Sequence, residues 1–170
     1  MPLRATLLEE ALEAWESTRD GVIGELRGLP ESGFSFRPAA EARSVLELAQ
    51  HILESGSLMS GELSRPDGDF RRMSYEGFAR EYGRGVSSQR SKKQLLAALR
   101  KSHADGAKKI RAAGELHMLQ HIRRFDGQMG TRLAWMHHGI SHEEYHRGQL
   151  ALCARLLSRV PALTKRIMGG

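Results

Sequence analysis

Apolar residues recur at the helical repeat in long stretches of this chain, and connections too long for tight turns separate those stretches. Residues 3–28 are rich in Leu, Ala and Glu at helical spacing and predict a first long helix. A loop follows, 29-LPESGFSFRPAAEARS-44. Ser44 and Glu47 then form a capping-box pattern that opens a second helix, whose stripe is Val45, Leu48, Ala49, Ile52, Met59 and Leu63. Residues 64–90 break the pattern, with room for a short helix at 74–82. Ser91 and Gln94 cap a third helix that runs to about Ala113. Segment 114–130 is irregular, and Asp126–Gly127 is a turn signal for a small hairpin. The last helix spans about Thr131 to Ser158, and Pro161 marks its end. An all-α four-helix bundle is the simplest way to bury four such stripes. Connections of about 15 residues or more often shape a site.

Size and composition set outer limits. A chain of 170 residues is expected to form one domain over residues 1–170, large enough to bury about 70% of its unfolded surface without staples. Cys153 is the only cysteine, so no intrachain disulfide forms. The start, MPLRATLLEEALEAWE, turns acidic too early for a signal peptide, and no apolar run reaches the length of a membrane span. These features lead to the expectation of a cytoplasmic protein without a membrane partner. The net charge is +6, but basic residues are scattered among acids and the tightest cluster is 90-RSKK-93. No nucleic-acid partner is expected from that pattern.

The chemistry sits on the last helix. At about 100° per residue, Trp135, His138, His142, His146, Gln149, Cys153, Leu156 and Leu157 share one side, and His137, Glu144, Arg147 and Arg155 the other. Buried imidazoles need partners, and a shared metal ion satisfies two or three at once. His142 and His146 are four apart, about 6 Å along the axis, and can converge on one ion. His138 is eight from His146, about 12 Å, and stays a neighbour or an alternative ligand. Packing is the competing role for all three. The stretch 142-HEEYH-146 also matches the H-E-x-x-H of zinc proteases. Those enzymes take a third ligand downstream, yet the chain after His146 has no Asp, Glu or His. A third ligand must therefore come from upstream, and His51, at the edge of the second stripe, is the candidate. His117 and His121 could border the site mouth or simply be exposed. His103 and His137 are read as surface residues, and Glu143 as a solvated glutamate rather than a general base. Gln149 and Tyr145 could orient a ligand or pack. Gly148 would let a neighbouring helix approach, Arg147 would bridge across the bundle, and Trp135 and Cys153 would be core.

The capped helix 44-SVLELAQHILESG-56, the preceding 29-LPESGFSFRPA-39 and the late 142-HEEYHRGQL-150 together resemble the DinB/YfiT-like superfamily over essentially the whole chain. The resemblance implies a four-helix bundle of up-down-down-up topology with one long crossover. It implies a divalent metal ion, most often Zn or Ni, on His51, His142 and His146, and it implies a homodimer. Some relatives are thiol-dependent transferases or isomerases that use bacillithiol, mycothiol or glutathione. The expected function is thus a metal-dependent enzyme activating a low-molecular-weight thiol toward a small-molecule substrate. Hydrolysis through metal-activated water is a further enzymatic option. The alternative is a non-catalytic, metal-stabilised binding or structural dimer, with the last metal position closed by His138, by His121 or by a partner molecule.

Overall fold

The computed structural model describes residues 6–169. Helix α1 (Leu7–Gly28) begins at the N-cap Thr6, so the start expected at residue 3 lies outside the described residues. Helix α2 (Val45–Ser64) opens with the full reciprocal capping box of Ser44 and Glu47. Helix α3 (Tyr75–Tyr82) is the short helix expected in the first connection, with Ser74 as its cap. Helix α4 (Lys92–Ala113) carries the second capping box, Ser91 with Gln94. A single turn, α5 (Glu115–Met118), leads to the hairpin of β1 (His121–Arg123) and β2 (Met129–Thr131). The strands pair antiparallel, Ile122 opposite Gly130, and Gly127 takes a φ of 86° in the turn between them. Thr131 then caps α6 (Arg132–Leu156). Beyond Pro161 the chain forms one more helix, α7 (Ala162–Met168), which the proline signal did not anticipate. The buried carboxylate of Glu25 accepts from Ala162 N at 2.8 Å and Leu163 N at 3.3 Å, so α1 caps α7 from outside.

The direction of each helix follows from what its ends bury. One core cluster holds Leu8 to Trp15 of α1, Leu58 to Leu63 of α2, Ala107 and Ile110 of α4, and Leu133 to Ile140 of α6. The other holds Val22 to Leu26 of α1, Val45 to Leu53 of α2, Leu95 and Leu99 of α4, and Leu150 to Ala154 of α6. Helices α1 and α6 therefore run one way and α2 and α4 the other, an up-down-down-up four-helix bundle. Each of α1 and α2 packs on both α4 and α6. Because α2 and α4 are parallel, residues 65–91 must cross the length of the bundle. Glu62, fully buried, pins that crossover by accepting from Tyr82 Oη at 2.6 Å and Arg72 Nη2 at 2.5 Å. At the end of α2, Arg132 Nη1 donates to Leu63 O at 3.1 Å, and His117 Nε2 lies 2.9 Å from the same oxygen. His117 thus closes a helix terminus; it does not border the histidine site.

A charged layer separates the two core clusters. Arg19 of α1 and Glu143 of α6 form a two-pronged ion pair: Nε pairs with Oε1, and Nη2 lies 2.9 Å from Oε2. Their side chains are 2% and 3% exposed, which overturns the solvated reading of Glu143. The apolar stripe of α6 is Leu133, Met136, Ile140, Leu150 and Ala154, and Glu143 lies on it rather than opposite it. The remaining polar atoms are matched: Trp15 Nε1 donates to Glu143 Oε2 at 3.0 Å, and Arg19 Nη1 donates to Leu99 O at 2.9 Å. Helix α2 contributes space, since a Cβ on Gly56 would stand 2.5 Å from Arg19 Nη2. His103, expected at the surface, is half-buried with its ring 4.5 Å from that of Trp15. Arg147 pairs with Glu144 of its own helix at 2.9 Å instead of bridging to another, and its guanidinium covers Gly21 of α1. Gly148 is exposed, and no helix among the described residues packs on it.

A buried charge stripped of its partner loses far more than an ion pair gains at the surface. Glu143→Ala should lower the unfolding free energy by about 3–5 kcal/mol in urea titration. Replacing both charges by Arg19→Met and Glu143→Leu should cost less than that single change. A loss below about 1 kcal/mol for Glu143→Ala would mean the pair is not what joins the helices.

Candidate metal centre

With Glu143 directed at the bundle centre, helix geometry sets the flanks. His142 stands about 100° to one side of it and His146 about 60° to the same side, both toward α2. His51 faces them from α2. His142 Nε2 lies 3.3 Å from His51 Nε2 and 3.0 Å from His146 Nε2, and one ligating nitrogen from each ring falls within a 4.8 Å group. Nitrogens bound at about 2.0–2.1 Å to one tetrahedral ion stand about 3.3–3.4 Å apart, close to these spacings. His146 is buried, while His51 and His142 are half-buried. Sequence spacing paired His142 with His146 and pointed upstream to His51; the fold brings the three rings together.

The protons decide what such a group wants. His146 Nδ1 is 2.7 Å from Gln149 Oε1, an oxygen that only accepts, so Nδ1 carries the hydrogen and Nε2 presents its lone pair. Gln149 therefore orients a ring. The shared nitrogen, His142 Nε2, can aim one proton at only one of its two neighbours. A single cation among the rings satisfies all three at once. The electrostatics favour neutral rings: burial, then Arg43, then the two other histidines lower the His51 pKa to about 4. Burial is also the largest cause lowering His142 and His146. Neutral imidazoles are the form that binds metal.

The other sequence candidates fall outside this group of three, although His138 shares a cavity wall with His51 and His142. His138 is exposed, with its ring 4.7 Å from that of Trp135, and His121 is exposed on β1. His137 is exposed, as expected. Tyr145 is 65% exposed, with its ring 5.1 Å from that of His146. Cys153 is buried, and desolvation pushes its thiol pKa up, so it packs and does not attack. Trp135 is half-buried at the edge of the core and lines a cavity.

That cavity, about 330 Å³, abuts the histidines. His51 and His142 form part of its wall, with Leu58, Met59 and Glu54 of α2, Phe70 and Tyr75 of the crossover, and Phe125 of the hairpin. Both long connections thus shape the site, as their length suggested. The sequence reading missed Glu54. It lies three residues after His51, nearly one turn on, so the signal was a carboxylate on the face that carries the histidine. Its side chain is half-buried, makes no hydrogen bond among the described residues, and has its pKa raised by burial.

A family model described as the DinB superfamily matches residues 8–150. No curated protein matches the chain. Solved structures share its fold, three of them as follows. A DinB-like protein of Bacillus subtilis, YjoA, is 18% identical with a TM-score of 0.66, over 88% of this chain and 92% of that one. A DinB-like protein of Bacillus cereus is 16% identical with a TM-score of 0.67, over 90% and 94%. YfiT of Bacillus subtilis, described as a probable metal-dependent hydrolase with an unusual four-helix bundle topology, is 11% identical with a TM-score of 0.66, over 93% and 94%.

Two measurements check this geometry. Gln149→Ala should weaken metal binding about 10- to 100-fold in competition with a chromophoric chelator, because His146 loses the group that fixes its proton. The metal-free protein should lose stability as acidity rises. The unfolded chain takes up protons on its histidines near pH 6.5, whereas folded His51 resists them until about pH 4. Stability should therefore be highest above about 6.5, fall between about 6.5 and 4, and level off for this group below that. A smaller fall in melting temperature across that window in His51→Ala than in the parent would assign the difference to this ring, and an equal fall would assign none of it to His51.

Proposed function

The chain belongs to the DinB superfamily, and from that premise we propose that it is a metal-dependent enzyme whose divalent ion, Zn or Ni, is held by His51, His142 and His146. The observation that carries this reading is the meeting of three imidazole nitrogens, with the rings of His51 and His142 on the wall of a cavity large enough for a small molecule. Three protein ligands are the number that catalytic sites use when a position is kept for substrate. When bound, such an ion supplies acidity: it lowers the pKa of a thiol or water placed beside it.

The residues of the chain do the rest. Gln149 keeps the proton of His146 on Nδ1. Glu54, on the cavity wall with burial raising its pKa, accepts the proton that the nucleophile gives up. Apolar walls exclude water from the reacting groups. Cys153 is buried and has its thiol pKa raised, so the sulfur of a thiol-dependent reaction comes from a small thiol such as bacillithiol, mycothiol or glutathione. Transfer of that sulfur to an electrophilic substrate is the first reading. Hydrolysis is the second, favoured by the fold shared with YfiT and its description as a probable metal-dependent hydrolase.

The test is to load the protein with Zn or Ni and supply each thiol with monobromobimane, and separately p-nitrophenyl esters without thiol. Thiol consumption should exceed that of the metal-free protein and of the His142→Ala, His146→Ala variant by at least about 100-fold, the scale of one lost catalytic group. Metal-dependent ester cleavage without thiol consumption would select hydrolysis. Metal binding with neither activity would leave the non-catalytic dimer.

A further inference from the structure

The cavity beside the histidines carries information about what enters it. Its apolar wall comes from four separate parts of the chain: Leu58 and Met59 of α2, Phe70 of the crossover, Phe125 of the hairpin, and Trp135 of α6. The three aromatic rings form a cluster, with centroids 4.9 Å apart for Phe70 and Phe125, 5.7 Å for Phe70 and Trp135, and 6.4 Å for Phe125 and Trp135. Phe125 remains 43% exposed and Tyr75 54% exposed, so large rings stand at an opening next to polar imidazoles. Loops that served only to join helices would have no reason to present rings there. The volume, about 330 Å³, is at the small end for ligand pockets and suits a ring-sized group, not a polymer.

The polar groups narrow the choice further. Besides His51 and His142, the polar groups on its wall are His138, Tyr75, Ser55 and Glu54, and no Lys or Arg is among the lining residues. Ser55 Oγ already donates to His51 O at 2.8 Å, so it offers a ligand an acceptor and no proton. The guanidinium of Arg124 covers Trp135 at 5.2 Å but is not part of the lining. Glu54 is the one carboxylate on the wall, and it disfavours an anion inside.

We propose that this cavity is the specificity pocket of the site and takes an uncharged aromatic or similarly flat apolar group, whose reacting end lies against His51 and His142. The inference rests on the metal reading above and names the substrate class for it. The polar end of the ligand meets the histidines, and the flat end meets Phe70, Phe125 and Trp135. Edge-to-face and offset contacts with such rings add to simple burial.

Cobalt-loaded protein tests the pocket, because hydroxamates that bind the ion change its visible spectrum. Acetohydroxamate probes the ion alone, benzohydroxamate adds an uncharged ring, and 4-carboxybenzohydroxamate adds a charge to that ring. Benzohydroxamate should bind about 10- to 100-fold more tightly than acetohydroxamate, the range expected for burying one ring. The carboxylated probe should bind at least about tenfold more weakly than benzohydroxamate. Phe125→Ala, a change at an exposed rim, should shrink the benzohydroxamate advantage and leave acetohydroxamate unchanged. Equal affinity for the first two probes, with the cobalt spectrum responding to both, would overturn the pocket and leave the metal centre standing. Equal affinity for the charged and uncharged rings would overturn the claim about charge. Failure of cobalt to bind would remove the metal reading and this inference with it.

Discussion

The buried pair of Arg19 and Glu143 is the constraint around which the bundle is arranged. Two charges removed from water are tolerable only if each finds the other and the leftover donors find oxygens. Here the guanidinium meets the carboxylate with two prongs and sends its remaining nitrogen to α4, while Trp15 completes the carboxylate. Gly56 keeps α2 close enough to roof the pair. All four long helices thus contribute to one polar layer between two apolar clusters. Such a layer fixes rotation in a way that interchangeable apolar contacts do not. A turn of α6 about its axis would pull Glu143 away from Arg19. His142 precedes Glu143 directly, so the pair that locks the helix also aims the histidines.

The second constraint is direction. Because α2 and α4 run the same way, the chain between them has to travel the length of the bundle. A bundle with short hairpin turns throughout would have no such segment. The crossover is held down by Glu62 through Arg72 and Tyr82, and tied to the hairpin where Phe70 N donates to Arg123 O at 3.0 Å. It then lies against the flank where α2 and α6 meet and supplies one side of the cavity. Topology and site are therefore linked: the parallel pair requires the long connection, and the long connection encloses the face that carries His51 and His142.

Much of this was readable in the sequence, and the misreadings share a cause. Helix starts were legible because Ser44, Ser91 and Thr131 declare themselves through local hydrogen bonds. The four stripes imply a bundle, and His142 with His146 implies a pair, because both are periodic features of one helix. The hairpin at Asp126–Gly127 is local too. Glu143 was misplaced because the centre of the α6 face was drawn through the histidines. The larger apolar residues, Leu133, Met136, Ile140 and Leu150, put that centre more than about 90° from His142 and close to Glu143. The matching signal on α1 was Arg19, a cation in a stripe that otherwise reads Leu12, Trp15, Val22 and Leu26. A charge in such a place calls for a buried counter-charge. Which carboxylate answers it depends on how helices far apart in sequence align. The closure of α2 by His117 and Arg132, and the capping of α7 by Glu25, are contacts of the same long-range kind.

The central claim is that α2 and α6 share one ion through three rings. A crystal grown with zinc and without chelator, measured on both sides of the zinc absorption edge, tests it most directly. The account predicts one anomalous peak per chain, about 2.0–2.1 Å from a ring nitrogen of each of His51, His142 and His146. A peak held by His138 or His117 instead, or full zinc occupancy with His51 outside bonding distance, would contradict it.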